Sequence, residues 1–192
     1  DGEFGPYTQS ERLSIYMEHV NQLIDSGNAY PCFYSDDRLE SIKEKSIPSN
    51  IVAEYDRRYR GISISEMYER MNEENHVIRL MVPSNETVQI NDQIRGNINF
   101  DLNLIQDQII IKSDGYPTYH LASVVDDHTM EISHVLRADE WLSSTPRHIR
   151  LYDALGYQKP IYAHLPIILG PDRSKLSKRH GAVSVLHYRD IG

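Results

Sequence analysis

The sequence predicts an α/β fold that contains one half of a doubly wound sheet, preceded by a compact α+β unit. After residue 113, predicted helices and strands alternate, with a helix over 119–125, a strand over 132–136, a helix after 145–146 and a strand over 164–169. Before residue 113, short apolar runs with period-two spacing predict antiparallel strands. Half of a doubly wound sheet implies a partner half.

The first element predicted is a helix near the N-terminus. Thr8 and Glu11 have the spacing of a capping box, and apolar residues recur with helical period from Leu13 to Ile24. Gly27 is placed to end this helix.

The α+β unit is predicted between about Cys32 and Lys112. One helix is expected to begin at Ser35 and another to cover 65–72. The strands expected in this unit cover 77–82, 88–90, 94–100 and 109–111.

The second half begins with the turn at 114–115. In its later helix, Thr145 suits the N-cap and Pro146 the first helical position, and Gly156 suits the C-terminal stop. The predicted strand over 164–169 then leads into a loop.

Composition is that of an ordinary globular protein of 192 residues with a net charge of −8. This charge argues against binding nucleic acid by bulk electrostatics, so local basic patches would have to do it. The single Cys32 excludes an internal disulfide and a cysteine-rich zinc site. No apolar run approaches the roughly 18 to 20 residues of a transmembrane helix, and no leader pattern is present, so we expect a cytoplasmic protein.

The run from Lys175 to Arg179 places three cations within five residues, after a turn-forming segment that starts at Gly170. Such a loop suits a polyphosphate whose charge changes during a reaction. A solvated basic surface is the alternative from composition alone.

Arg137 follows the predicted strand over 132–136, where ligands of open α/β sheets gather. Arginine binds carboxylates in a bidentate manner, so an acidic ligand is expected. A structural salt bridge of Arg137 with Asp139 or Glu140 is an equal alternative.

Tyr119 and Ser123 lie one helical turn apart and share a face. The hydroxyl of each residue could donate a hydrogen bond to a substrate. Alternatively, Tyr119 could be a half-buried core residue, and Ser123 could be present only because it is small. Trp141 could form a pocket wall or belong to the core.

Two further clusters could bind ligands. Asp126, Asp127 and His128 look like a metal trio, but adjacent acids on a helix cannot easily face one ion, so a cap or loop role is expected and no metal is assigned. Three arginines near two tyrosines could contact an RNA backbone, or could be a solvated surface; they are Arg57, Arg58 and Arg60.

The segment from Leu169 to Val185 resembles the KMSKS loop of class I aminoacyl-tRNA synthetases, in the form Lys-Leu-Ser-Lys-Arg over 175–179. With the residues that follow it, this segment is similar to that of bacterial-type glutamyl-tRNA synthetases. The resemblance extends over nearly the whole chain, from 5–12 through 113–119 to the C-terminus.

This resemblance implies a Rossmann-like catalytic domain that is split by an inserted acceptor-stem-binding domain. Residues 1–31 would end the first Rossmann half, 32–112 would form the inserted domain, and 113–192 would form the second half. The inserted domain would include the three arginines, which implies tRNA contact.

The resemblance also implies roles at the site. Arg137 aligns with the residue that recognises the glutamate side chain, and Trp141 would contact the pocket. Relatives often have Asn at the position of Ser123. The catalytic residues implied are Lys175, Lys178 and Arg179. The ATP-binding residues implied are Lys178, Ser177 and Ile168, the last through its backbone.

The implied activity is ATP-dependent activation of L-glutamate and its transfer to tRNA(Glu), with tRNA(Gln) left open. ATP would be a substrate accompanied by Mg²⁺, without structural zinc or membrane contact, in a monomer. The HIGH motif is not found in this chain, and Asp1 is not an initiating methionine. We therefore expect an excised and inactive fragment, with the HIGH motif before Asp1.

Other functions remain open at this point. A glutaminyl-tRNA synthetase and the tRNA-modifying glutamyl-queuosine enzyme are rivals within the superfamily, although the large insertion and the lack of clustered cysteines argue against the second. A non-catalytic tRNA-binding or nucleotide-binding module is a rival of another class.

Overall fold

A computed structural model describes residues 2–33, 57–170, 173–176, 186 and 189 of the chain. The helix expected to begin at Ser35 lies outside these residues, and so does most of the basic loop. The helices are α1 (Leu13–Asp25), α2 (Ile64–Glu73), α3 (Tyr119–Thr129) and α4 (Thr145–Leu155). The strands are β1 (Ala29–Cys32), β2 (Val77–Leu80), β3 (Thr87–Asp92), β4 (Gly96–Asp101), β5 (Ile109–Ile111), β6 (His134–Ala138) and β7 (Ile161–Leu165).

The described strands form three small sheets, and the mixed α/β class predicted from the sequence is confirmed. Strands β1, β2 and β5 make an antiparallel sheet with β2 in the middle, and β3 and β4 form a hairpin. Strands β6 and β7 pair in parallel, with α4 in the connection between them. This β6–α4–β7 unit is the local arrangement that alternating strands and helices predict.

The main core joins α1 to the later helices. Buried Tyr16 and Val20 of α1 belong to one cluster with Leu121 of α3 and Leu151 of α4, and Ile78 of β2 is in the same cluster. A second cluster packs the β3–β4 hairpin against α4 and β7; its members include Val88, Ile90, Ile149 and Tyr162. The hairpin is therefore packed directly against the parallel strands.

Several helix ends agree with the sequence, and three do not, since the helix expected over 119–125 continues to Thr129 as α3. Gly156 has φ of 71° after α4, and Gly27 has φ of 70° after α1, so both glycines occupy the left-handed region expected at helix ends. The predicted capping box is wrong: Thr8 makes no side-chain cap bond, and α1 begins only at Leu13. Thr145 is the first residue of α4 instead of its N-cap, which is Ser144, so Pro146 is the second helical residue and not the first; the Thr145 hydroxyl accepts from Arg137.

Both strands of the second half were predicted with the wrong boundaries. The strand expected over 132–136 is β6, which covers His134–Ala138, so Arg137 lies inside the strand and does not follow it. The strand expected over 164–169 is β7, which begins at Ile161 and ends at Leu165. Residues 167–169 are exposed although they are apolar, so their apolar character alone does not indicate a buried strand. None of the described helices is long and apolar enough to cross a membrane.

Candidate functional site

The parallel strands β6 and β7 place Arg137 and His164 at paired positions. Both residues stand one position before the end of their strands. Because the carboxyl ends of parallel strands lie at one edge of a sheet, these two side chains mark the edge where ligands bind in such folds.

Arg137 donates three hydrogen bonds to uncharged groups. Its Nε donates to His164 Nε2 at 3.1 Å, one terminal nitrogen donates to Thr145 Oγ1 at 2.9 Å, and the other donates to His148 Nδ1 at 3.4 Å. The guanidinium has more N–H groups than these three bonds use. It therefore keeps donors for a ligand.

The alternative of a local salt bridge is wrong for Arg137. Asp139 pairs with Arg95 at 2.9 Å, and Glu140 is in contact with Lys175. Among the residues that the structure describes, no carboxylate forms an ion pair with Arg137. A half-buried cation with neutral partners favours an anionic ligand.

Neutral imidazoles surround the inner side of the guanidinium. Burial, with the nearby charge of Arg137 as the next cause, lowers the pKa of His148 to about 3. Since an arginine can only donate, His148 Nδ1 must accept and its Nε2 must carry the proton. That proton is donated to His120 Nδ1, 2.9 Å away. The pKa of His120 is also lowered, mainly by burial and then by Arg147 and Arg137.

Aromatic rings form one side of the site. The rings of Tyr119 and Trp141 lie 5.0 Å apart, and Tyr119 lies 5.8 Å from the ring of His148. Tyr119 is 49% exposed and Trp141 is 39% exposed, so neither is a core residue. Because His148 contacts both Tyr119 and Arg137, and Trp141 contacts Tyr119, the structure brings Tyr119, Trp141 and Arg137 together. Ser123 lies one turn further along α3 and is half-buried.

The beginning of the basic loop is described up to Leu176. Leu169 and Lys175 form an isolated antiparallel bridge, and Leu176 N donates to Ile168 O at 2.9 Å. The Ile168 side chain is 71% exposed. Lys175 reaches Glu140, next to Trp141, which brings this loop beside the aromatic wall. Ser177, Lys178 and Arg179 lie outside the described residues.

The three arginines expected to contact RNA have different surroundings. The Arg57 side chain donates to Ser84 Oγ at 3.3 Å, and the exposed Arg58 lies 5.6 Å from the ring centre of Tyr59. Arg60 instead points inward, where its Nε donates to Asp107 at 2.7 Å and a terminal nitrogen donates to Val82 O at 2.8 Å. This pairing assigns Arg60 a structural role in holding the chain together.

The three possible metal ligands lie inside α3, so the cap or loop role expected for them is wrong. Asp126 accepts from the buried Arg12 at 2.7 Å, and the ring of His128 stacks on Tyr157 at 3.4 Å. Burial, together with the neighbouring Asp126, raises the pKa of Asp127 to about 6. In the described part of the chain, no group of three His, Cys, Asp or Glu residues could hold a metal ion.

Residues 1–192 match the family model for the catalytic domain of class I tRNA synthetases (E and Q). The chain belongs to this family. A glutamate–tRNA ligase of Dehalococcoides mccartyi (strain CBDB1) is 51% identical over 191 residues, which cover 100% of this chain and 38% of that protein. A glutamate–tRNA ligase of Chloroherpeton thalassium is 50% identical and is covered over 39% of its length. The chain thus spans less than two-fifths of these synthetases.

Solved structures of the family have the same fold. A glutamate–tRNA synthetase from Elizabethkingia anophelis superimposes with a TM-score of 0.84 at 37% identity, over 94% of this chain and 38% of that one. A glutamate tRNA ligase from Elizabethkingia meningosepticum, solved in complex with its amino acid, gives a TM-score of 0.85 at 37% identity, over the same shares of the two chains.

Three residues around Arg137 were not predicted from the sequence as members of the site: His148, His164 and Thr145. The sequence contains one signal that could have led to a fourth residue behind them. In β3, Val88, Ile90 and Asp92 are the buried alternate positions, so a carboxylate stands where an apolar residue is expected. A buried acid in an apolar series requires partners, and Asp92 bonds to His164.

Proposed function

We propose that the whole protein to which this chain belongs is a glutamate–tRNA ligase. The observation that carries the proposal is the half-buried Arg137, which has only neutral partners among the described residues and stands beside Tyr119 and Trp141. A guanidinium in this state recognises a carboxylate in preference to an amide. The names of the relatives support the same substrate.

In this proposal the site binds the glutamate side chain by charge and shape. Arg137 donates to the side-chain carboxylate, Tyr119 adds its hydroxyl, and Trp141 closes the side of the pocket. Ser123 lies further along the same helix and has a smaller role. The neutral His148 keeps the pocket from gaining a second positive charge at neutral pH.

The reaction requires no protein nucleophile. The α-carboxylate of glutamate attacks the α-phosphorus of ATP and pyrophosphate leaves; a ribose hydroxyl of the terminal tRNA adenosine then attacks the acyl carbon and AMP leaves. The basic loop stabilises the charge that moves onto pyrophosphate, through Lys175, Lys178 and Arg179. Ser177 and the backbone of Ile168 contact ATP. Mg²⁺ arrives with the ATP phosphates, and no step is assigned to it.

The domain division predicted from the sequence is part of this proposal. Residues 32–112 would be the inserted acceptor-binding domain, and Arg57 and Arg58 are its candidates for contact with the tRNA backbone. The net charge of −8 means that such contact is local.

Pyrophosphate exchange by the full-length protein tests the glutamate site. We expect Arg137→Leu to raise the KM for glutamate by about 100-fold and the KM for ATP by less than about 3-fold, because a charge-assisted bond is lost at one substrate only. Arg70→Leu is a matched control, since Arg70 of α2 pairs with Glu74, the residue that follows this helix, and the change should leave both constants unaltered. Equal changes for both substrates, or better use of glutamine than of glutamate, would contradict the assignment.

The same assay tests the loop. We expect Lys178→Ala to slow exchange by about 100-fold or more while the fold is retained, because charge stabilisation at pyrophosphate is lost. Exchange at the wild-type rate would remove the loop from the mechanism. Comparing the 192-residue chain with the full-length protein tells a catalytic role from a binding module.

A further inference from the structure

Asp92 is a buried carboxylate that lies outside the residues assigned to the site. It is the last residue of β3 and is 2% exposed. Its Oδ1 accepts from the backbone N–H groups of Ile94 and Arg95, each at 2.9 Å. Its Oδ2 accepts from the backbone N–H of His164 at 3.0 Å and lies 2.6 Å from His164 Nδ1. The carboxylate thus joins the hairpin to β7.

The contacts of Asp92 keep it ionised. Burial acts to raise its pKa, but the bonds from His164 and from the backbone N–H groups of Arg95, Ile94 and His164 outweigh burial and lower the pKa to about 2. An ionised carboxylate can only accept hydrogen bonds. His164 Nδ1 must therefore carry a proton and donate it to Asp92.

The opposite nitrogen of the same ring faces Arg137. His164 Nε2 lies 3.1 Å from Arg137 Nε, which can only donate. His164 is therefore the neutral Nδ1–H tautomer, with its Nε2 lone pair directed at the guanidinium. Thr145 Oγ1 lies 3.2 Å from the same Nε2 and also accepts from Arg137, so the arginine is held on two sides.

We propose that Asp92 is a positioning residue for the carboxylate-binding arginine: through His164, it holds Arg137 in the orientation that binds glutamate. Like the assignment of Arg137, this proposal rests on the proposed function. The hairpin that belongs to the predicted inserted domain thus takes part in amino-acid binding, although Asp92 does not touch the substrate. A carboxylate that sets the tautomer of a histidine is a general means of orienting the group beyond it.

Asp92→Asn in the full-length protein separates this role from a purely structural one. In the Oδ1 position the amide oxygen can still accept from the backbone N–H groups of Ile94 and Arg95 and, at 3.2 Å, from that of His164. The amide nitrogen then takes the Oδ2 position and donates to His164 Nδ1. The ring must then carry its proton on Nε2, so that two donors face each other at Arg137. We expect the KM for glutamate to rise by about 10-fold and the KM for ATP to stay within about 2-fold.

Asp107→Asn is the matched control. Asp107 is also 2% exposed and comes from the same region, where it accepts from Tyr30 at 2.6 Å and from Arg60 at 2.7 Å. Asp107→Asn should lower the unfolding temperature without a selective rise in the KM for glutamate. A purely structural Asp92 would behave in the same way.

The tautomer can also be measured on the unaltered protein, which covers the case that Asp92→Asn does not fold. In ¹⁵N-histidine spectra, we expect the His164 Nδ1 signal in the protonated range and the Nε2 signal in the unprotonated range. A proton on Nε2, or a folded Asp92→Asn protein with unchanged glutamate KM, overturns the proposal. If Arg137→Leu leaves the KM for glutamate unchanged, the proposed function fails. If Arg137→Leu raises the KM for glutamate and Asp92→Asn does not, only the role of Asp92 fails.

Discussion

Arg137 Nε donates to His164 Nε2 at 3.1 Å, across two strands that run in parallel and end at the same edge. The bond holds the arginine without neutralising it, because its acceptor is an uncharged ring nitrogen. A carboxylate partner at this position would occupy the donors that a ligand needs. The histidine therefore leaves the charge of Arg137 uncompensated, which is the state that the proposed binding of a carboxylate requires.

The hydroxyl of Tyr119 should contribute to glutamate binding more than that of Ser123. Tyr119 stands next to Trp141 and His148, so its hydroxyl can reach a ligand on Arg137. We expect Tyr119→Phe to raise the KM for glutamate by about 10- to 100-fold, the effect of one lost hydrogen bond to a charged group, and Ser123→Ala by less than about 3-fold. Pyrophosphate exchange measures both values, and a larger effect of Ser123→Ala would reverse the order proposed.

Arg60 should contribute to the stability of the fold, whereas Arg58 should contribute to tRNA binding. Arg60→Ala leaves the buried Asp107 without its ion-pair partner, and we expect a loss of about 3 kcal/mol in the free energy of unfolding. Arg58 is exposed and lies 5.6 Å from the ring centre of Tyr59, so Arg58→Ala should cost less than about 1 kcal/mol and should instead raise the KM for tRNA. Urea unfolding and aminoacylation measure the two effects. Equal stability losses would contradict the division of roles.

Acid should destabilise the protein through His148. The pKa of His148 is lowered to about 3 by burial and by Arg137, against about 6.5 in an unfolded chain. Its contribution to stability is therefore present above about pH 6.5 and is lost as the pH falls toward 3, because only the unfolded state binds the proton. The expected slope is about 1.4 kcal/mol per pH unit between about pH 6 and pH 4.

His148→Gln measures this contribution by difference. The variant should lose less stability than the wild type when urea unfolding is repeated at pH 7 and pH 5. Because Asp127 has a pKa raised to about 6, its contribution changes in the opposite direction in both proteins, so the difference between them isolates His148. Identical acid sensitivity in the two proteins would show that His148 is not held neutral.

Arg12 should hold the N-terminal segment onto α3. Its side chain is 1% exposed and donates to Asp126 at 2.7 Å and to Pro6 O at 2.8 Å. We expect Arg12→Ala to cost about 3 to 5 kcal/mol, because Asp126 loses its charged partner. The exposed Gln9 also donates to Asp126, at 3.3 Å, and Gln9→Ala should cost less than about 1 kcal/mol. Urea unfolding compares the two, and similar losses would argue against a tether at Arg12.

Periodicity in the sequence predicted most of the described elements, because side chains repeat with the geometry of a helix or strand. The helix over 65–72 is found as α2, where Ser63 accepts from Glu66 N at 3.3 Å, and the strands of the α+β unit are antiparallel as expected. Prediction was wrong where apolar residues are exposed, as over 167–169. Those residues belong to a short bridged loop, which no local pattern separates from a strand.

The sequence by itself determined the α/β class, the approximate positions of most helices and strands, and the motif that led to the family. Only the tertiary structure decided which of two arginines is paired with a carboxylate. Arg60 and Arg137 look equally available in the sequence, yet Asp107 engages the first, and His164 with Thr145 orients the second. The physical reason is that these partners lie far away along the chain, and packing alone brings them within hydrogen-bond distance.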